Sequence, residues 1–235
     1  MVYILKGVCS MKAQLRIDTV LRILAAGIVP LFYQEDTDKA KQVIAACIDG
    51  GLTCIEITNR GVQAHHVFRD IAQHCRKHHP DVLLGAGTVQ DQGTASLFIQ
   101  EGAAFIVSPY FDLDTALVCN KRRIPYIPGC ATATEIHTAE TYGADICKVF
   151  PGSSAGGPGF IKAVLGPSPK TLLMPTGGVE PTRESLSSWF SAGAACVGLG
   201  SQMIPGTIPD DFEYTTITRK AKEALSIVRE LRDGR

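Results

Sequence analysis

A lysine interrupts an apolar run that otherwise has the pattern of a buried strand. Residues 145–151 read Asp-Ile-Cys-Lys-Val-Phe-Pro, with Lys148 near the centre. Desolvating an ammonium group is costly unless the group is paired or loses its proton. A lysine whose pKa is lowered in this way is a nucleophile suited to Schiff-base chemistry. Lys148 therefore constrains both the fold and the chemistry of the chain.

Two other apolar runs carry related features. Residues 54–58 place Glu56 in a similarly buried setting, and residues 172–176 lead into Gly177 and Gly178. A lysine, a glutamate and a glycine-rich loop together suggest aldol chemistry. A purely structural Glu56–Lys148 ion pair is the alternative interpretation, and one pair of side chains can serve both purposes.

Short apolar runs recur along the chain and predict the fold. Their starts lie about 20 to 29 residues apart, at 27–32, 54–58, 83–88, 105–108, 126–129, 146–150, 172–176 and 196–200. Several gaps between them have helical patterns, at 37–50, 64–79, 93–101, 113–121 and 183–192. Eight alternating βα units predict an α/β fold, the (β/α)₈ TIM barrel. An open doubly wound sheet is the second choice, because no early G-x-G-x-x-G follows the first run.

Length and composition bound the class of protein. The 235 residues suit a single barrel domain, with residues 1–20 as an N-terminal extension and first helix and residues 21–235 as the barrel. Basic and acidic side chains balance at 23 each, which gives no global attraction to nucleic acid or membrane. No two of the eight cysteines have C-x-x-C spacing, so we expect reduced thiols in a cytoplasmic protein.

Polar and small residues collect where the apolar runs end. Glu56, Arg60, Thr88, Lys148 and Thr176 all lie in or just after such ends. In a (β/α)₈ barrel the C-terminal rim carries the chemistry. The distribution therefore favours an enzyme over an inert scaffold.

Six short motifs occur in order along the chain: IEITNR at 55–60, GAGTV at 85–89, IVSP at 106–109, IPYIPG at 124–129, KVFP at 148–151 and MPTGGV at 174–179. Together they resemble the class I aldolases of the 2-keto-3-deoxy-6-phosphogluconate (KDPG) and 4-hydroxy-2-oxoglutarate (KHG) family. The resemblance implies a homotrimer of barrels that uses neither metal nor cofactor. It also implies that the substrate is a small 2-keto-4-hydroxy acid and that pyruvate is a product.

The resemblance assigns roles at the predicted rim. Lys148 is similar to the Schiff-base lysine of the family, and Glu56 to its acid/base carboxylate. Arg60 would bind the substrate carboxylate with help from Thr88 and Thr176, for which a planar guanidinium is well suited. Pro109 would shape the pocket. Phosphate binding is expected at the glycine-rich ends of the last two runs, at Gly177, Gly178, Gly200 and Ser201.

The chain departs from the family pattern in two places. Tyr110 stands after the IVSP motif, where many relatives have glycine, which suggests altered substrate scope. Gly152 and Ser153 follow the lysine motif, where some relatives have alanine and glutamate, and residues 151–159 are expected to form a flexible glycine-rich loop at the edge of the pocket.

The histidine-rich segment 64–79 pairs His74 with His78 at i, i+4 spacing but lacks an H-E-x-x-H arrangement. We interpret it as a solvated helix face on the outer ring, with no metal site.

The expected reaction is cleavage of KDPG to pyruvate and glyceraldehyde 3-phosphate, with cleavage of KHG to pyruvate and glyoxylate as a second activity. The phosphogalactonate aldolase, which differs in the C4 configuration of its substrate, is an alternative. A non-catalytic sugar-acid phosphate binder, a metal-dependent lyase and a phosphosugar epimerase on the same barrel are further alternatives.

Overall fold

The computed structural model describes residues 15–233. Nine helices lie in this part of the chain: α1 Arg16–Ala26, α2 Thr37–Asp49, α3 Ala64–His78, α4 Gln92–Glu101, α5 Leu113–Arg122, α6 Ala133–Thr141, α7 Gly157–Leu165, α8 Arg183–Ser191 and α9 Thr215–Asp233. The strands are β1 Ile28–Phe32, β2 Cys54–Thr58, β3 Leu83–Gly87, β4 Phe105–Val107, β5 Tyr126–Ile127, β6 Gly129–Cys130, β7 Cys147–Val149, β8 Leu173–Pro175 and β9 Val197–Leu199.

The strands form a closed parallel ring. One set pairs in the order β5-β4-β3-β2-β1-β9 and the other in the order β6-β7-β8. A parallel bridge between Thr176 and Gly198 joins β8 to β9, and β5 continues into β6 through Pro128. Each strand is buried along its whole length, as expected when helices cover the outside. The predicted (β/α)₈ barrel is confirmed.

The eight predicted strand positions are confirmed, with one interruption. The fifth run is divided at Pro128, which has no backbone N–H to donate to a neighbouring strand. The run then continues to Cys130, one residue beyond the predicted end. The five predicted helices are found within one residue of their predicted ends.

The prediction of a loop at residues 151–159 is wrong for the last three residues. Helix α7 begins at Gly157, and Pro158 lies in its first turn. Proline is favoured at this position because its fixed φ suits a helix and its missing N–H would have no partner there. The loop after the lysine strand is therefore confined to residues 151–156.

The predicted N-terminal segment comprises residues 1–20. Its residues 1–14 lie outside the described residues. Residues 16–20 belong to α1, which runs beyond the predicted boundary to Ala26. Val20 and Ile23 of this helix pack into a core cluster with barrel residues such as Val29, Phe105 and Met174. This cluster fills the N-terminal part of the barrel interior, and α1 closes that end.

No helix among residues 15–233 is long and apolar enough to cross a bilayer.

Candidate active site

Lys148 and Glu56 meet inside the barrel. Lys148 is the middle residue of β7, in register with Gly129 and Met174, and Glu56 is the middle residue of β2, in register with Leu31 and Gly85. The Lys148 Nζ atom lies 3.9 Å from Glu56 Oε1. Only 5% of Lys148 and 1% of Glu56 is exposed. The structure thus brings together the two charged residues that the sequence singled out.

Burial shapes the electrostatics of the pair. Desolvation lowers the pKa of Lys148, and the nearby Arg60 charge acts in the same direction. The Glu56 carboxylate opposes this effect and favours the ammonium form. Because desolvation is the largest contribution, the amine is neutral at a lower pH than a solvated lysine. This is the state that attacks a carbonyl carbon.

The Glu56 carboxylate has no hydrogen-bond partner among residues 15–233, although both of its oxygens are buried. It is positioned by close packing against the next strand. A Cβ atom added to Gly87 would lie 1.8 Å from Glu56 Oε1, so glycine at this position leaves the room that the carboxylate occupies. A buried carboxylate without hydrogen bonds is suited to accept and return protons.

An aromatic ring lies beside the lysine. The Lys148 Nζ atom is 5.0 Å from the centre of the Phe150 ring. The negative face of an aromatic ring attracts a cation, so Phe150 stabilises positive charge on this nitrogen. No role was predicted for Phe150 from the sequence. The sequence did contain one indication of its position. Phe150 is two residues after Lys148, and residues two apart in a strand point to the same side.

A cleft of about 280 Å³ opens at the C-terminal ends of the strands. Its lining includes six predicted binding residues: Arg60, Thr176, Gly177, Gly178, Gly200 and Ser201. Phe150, Thr58 and Glu180 also line it, and no role was predicted for these three. Lys148 and Glu56 do not line the cleft, but Phe150, whose ring centre lies 5.0 Å from the Lys148 Nζ atom, does.

The ends of the cleft differ in chemistry. The Arg60 side chain is exposed and makes no hydrogen bond or ion pair with another described residue. The buried Thr176 Oγ1 atom likewise has no hydrogen-bond partner among residues 15–233. In the turn that follows Thr176, Gly177 and Gly178 both have left-handed backbones, with φ of 86° and 76°. The loop after Lys148 is tied to this turn, because the amide of Ser153 donates to the Gly177 carbonyl at 3.0 Å.

Besides Lys148 and Glu56, two more predicted site residues, Thr88 and Pro109, lie outside the cleft. Thr88 follows β3 directly after Gly87 and has a left-handed backbone, with φ of 57°. This conformation is strained for a β-branched residue, and such strain is concentrated at functional sites. The Pro109 carbonyl lies against Gly129, where an added Cβ would approach it to 2.0 Å. Since Gly129 pairs with Lys148, Pro109 belongs to the wall next to the lysine strand.

No group of three or more His, Cys, Asp or Glu side chains suited to bind a metal occurs within residues 15–233. The histidine-rich segment forms α3, where the rings of His74 and His78 lie 4.8 Å apart.

The chain resembles known proteins over most of its length. The family model described as "Aldolase: KDPG and KHG aldolase" matches residues 17–220. A 2-dehydro-3-deoxy-phosphogluconate aldolase from Treponema pallidum is 32% identical over 201 residues, which cover 86% of this chain and 93% of that protein. The KHG/KDPG aldolase of Escherichia coli K12 is 31% identical over 206 residues, which cover 86% of this chain and 93% of that protein.

Solved structures have the same fold. The KDPG aldolase from Legionella pneumophila, captured with pyruvate as a covalent carbinolamine intermediate, superposes with a TM-score of 0.80 at 27% identity, covering 88% of this chain and 97% of that one. A native KDPGal structure superposes with a TM-score of 0.78 at 29% identity, covering 88% of this chain and 96% of that one. The chain therefore belongs to the KDPG and KHG aldolase family.

Proposed function

We propose that this protein is a class I aldolase that cleaves KDPG to pyruvate and glyceraldehyde 3-phosphate, and that it also cleaves KHG to pyruvate and glyoxylate. The observation that carries the proposal is the buried Lys148 amine, 3.9 Å from the Glu56 carboxylate and next to the cleft. Neither group is needed for binding alone. Together they supply the nucleophile and the proton carrier that aldol cleavage requires.

The first step is formation of the imine. The neutral Lys148 amine adds to the C2 ketone carbon of the substrate, giving a carbinolamine that takes up a proton from solvent and loses water. The resulting iminium carries positive charge on nitrogen, next to the face of Phe150. The solved relative with pyruvate bound as a covalent carbinolamine supports this step.

Cleavage and release follow through Glu56. The Glu56 carboxylate removes the proton from the C4 hydroxyl while the C3–C4 bond breaks, and the electron pair of that bond moves into the iminium to give an enamine. The aldehyde leaves with its new carbonyl at the former C4. Glu56 then returns the proton to C3 of the enamine, and water releases pyruvate from Lys148.

The remaining site residues position the substrate in this proposal. Arg60 pairs with the C1 carboxylate, and Thr88 and Thr176 donate hydroxyl hydrogen bonds beside it. Pro109 shapes the wall next to the lysine strand. The phosphate binds among Gly177, Gly178, Gly200 and Ser201. Support comes from the cleft, which contains Arg60, Thr176 and these four residues.

We also propose a homotrimer that works in the cytoplasm. Exposed apolar side chains on and near α5, namely Leu113, Leu117 and Tyr110, support burial of this surface between subunits. The seven cysteines between positions 47 and 196 are free and buried, which is consistent with a reducing compartment.

Measurement of pyruvate release tests the proposal. Purified protein is incubated with KDPG, with its C4 epimer and with KHG, and pyruvate is followed with lactate dehydrogenase. We expect the highest kcat/KM for KDPG. A higher value for the epimer would favour the phosphogalactonate alternative, of which the KDPGal relative is an example. Absence of release from all three compounds, or release abolished by EDTA, would contradict Schiff-base cleavage.

A further inference from the structure

Two charged side chains line the cleft, and they have opposite signs. Arg60 is the cation and Glu180 is the anion. Among residues 15–233, no other lysine or arginine contributes to the lining. Under the proposed function, Arg60 is occupied by the C1 carboxylate of the substrate. The rest of the cleft then offers backbone amides, the Ser201 hydroxyl, the Gln202 side-chain amide and the Glu180 carboxylate.

Glu180 is free to act on a ligand. Its side chain is exposed and makes no hydrogen bond or ion pair with any other described residue. Its backbone is fixed, because its amide donates to Ser185 Oγ at 3.0 Å, just inside the start of α8. Glu180 is therefore anchored in the lining of the cleft, two residues after Gly178.

A fixed negative charge at this place affects the phosphate end of a substrate. A phosphate monoester carries a charge of about −1.5 to −2 near pH 7. Backbone amides and a hydroxyl can bind such a group, but a nearby carboxylate repels it, and salt screens that repulsion. An uncharged hydroxyl chain does not experience this repulsion, and it can donate hydrogen bonds to the carboxylate.

We propose that Glu180 is a specificity-determining residue that disfavours a dianionic phosphate and shifts the enzyme toward unphosphorylated 2-keto-3-deoxy acids. This inference rests on the proposed aldolase function and refines its substrate class. The aldolase accepts both the phosphorylated and the unphosphorylated acid. The amide-lined turn favours the phosphorylated acid, and Glu180 reduces this preference.

The test is a charge series at position 180. The ratio of kcat/KM for KDPG to that for unphosphorylated 2-keto-3-deoxygluconate is measured in the wild type and in the Glu180→Gln and Glu180→Lys variants. We expect the ratio to rise about fivefold in Glu180→Gln and further in Glu180→Lys, mainly through a lower KM for KDPG. The increase shrinks at high ionic strength because the effect is electrostatic.

A matched control separates charge at the cleft from net charge. Glu184 lies in the first turn of α8 outside the cleft, and Glu184→Gln should leave the ratio unchanged. Proton exchange at C3 of pyruvate requires no phosphate and reports on the aldolase chemistry alone. An unchanged ratio in both Glu180 variants, with normal exchange, would overturn this inference only. Absence of exchange in the wild type would overturn the proposed function and this inference with it.

Discussion

Lys148 lies in surroundings that favour its uncharged form. It is buried in β7, and its nearest counter-charge, Glu56, is 3.9 Å away instead of at hydrogen-bond distance. The ion pair is therefore too loose to offset the whole cost of burying the ammonium group. This balance leaves a reactive amine inside a closed barrel.

The pH dependence of Lys148 reactivity follows from this balance. The neutral amine is the nucleophile, and a lowered pKa means that it becomes populated below pH 10.5, the value for an ordinary lysine. We expect acetylation of Lys148 by acetic anhydride, followed by peptide mass spectrometry, to rise with pH with an inflection below pH 10.5. In Glu56→Gln the inflection should move to lower pH, because the carboxylate favours the ammonium form. An inflection that stays in place would show that Glu56 does not interact with the lysine.

Glu56 is the proton carrier in the proposed mechanism. Glu56→Gln keeps the size of the side chain but removes its basicity. We expect deuterium exchange at C3 of pyruvate, followed by NMR, to slow by about 100-fold or more, in line with general acid–base catalysis. The Kd for pyruvate should change by much less. Exchange at the wild-type rate would mean that another group carries the proton.

At the scale of elements, two predicted site side chains, Glu56 and Thr176, each pack against a glycine on a neighbouring strand. Glu56 on β2 packs against Gly87 on β3, and Thr176 packs against Gly198 on β9, where an added Cβ would lie 2.2 Å from Thr176 Oγ1. Glycine on one strand therefore leaves space for a polar side chain on its neighbour. The barrel positions the site through these contacts as well as through its ring of strands.

Gly87→Ala tests this dependence. The new methyl group would overlap Glu56 Oε1 at 1.8 Å and force the carboxylate away from Lys148. We expect kcat/KM to fall by about 100-fold, since displacement of a reacting group by about 1 Å has effects of this size. Far-ultraviolet circular dichroism should show that the helix content is retained.

Gly159→Ala is the matched control for this prediction. Gly159 lies in α7, and an added Cβ there meets no atom within 4 Å. We expect unchanged activity and a free energy of unfolding raised by about 0.5–1 kcal/mol, because alanine favours a helix more than glycine does. Equal loss of activity in the two variants would indicate that glycine replacement, rather than displacement of Glu56, is responsible.

The strands and the lysine–glutamate pair were predictable from sequence for a physical reason. Continuous apolar runs indicate strands covered on both faces, and a charged residue within such a run needs a partner or a function. The start of α7 was not predicted, because Gly156, Gly157 and Gly159 suggest a loop while Pro158 favours a helix start. Two adjacent signals with opposite meanings cannot be ranked without the packing around them.

At the scale of the whole molecule, closure of the ring of strands explains which features of the site could not be predicted from the sequence. β2 and β7 are far apart in sequence, yet both belong to one ring of strands, so Glu56 and Lys148 meet in its interior. The cleft is formed where the segments after β2, β7, β8 and β9 converge. The position of Glu180 in that cleft follows only from this convergence. No local pattern in the sequence distinguishes it from other exposed glutamates such as Glu184.

Assembly is the remaining prediction at this scale. Leu113 and Leu117 are one helical turn apart on α5 and both are exposed in the single chain. We expect sedimentation equilibrium to give three times the mass of the chain. Leu117→Glu would place a charge in the proposed interface and should shift the population toward monomers. A monomeric wild-type protein would contradict the proposed trimer without affecting the proposed chemistry.

Trapping of the imine is the most direct test of the central claim. The protein is treated with borohydride in the presence of pyruvate, and the intact mass and the peptides are measured by mass spectrometry. We predict one reduced pyruvate adduct on Lys148 in the wild type and none in Lys148→Ala, which should retain its fold but lose turnover. No adduct in the wild type, an adduct on another residue, or near-normal turnover of Lys148→Ala would contradict the assignment of Lys148 as the Schiff-base nucleophile.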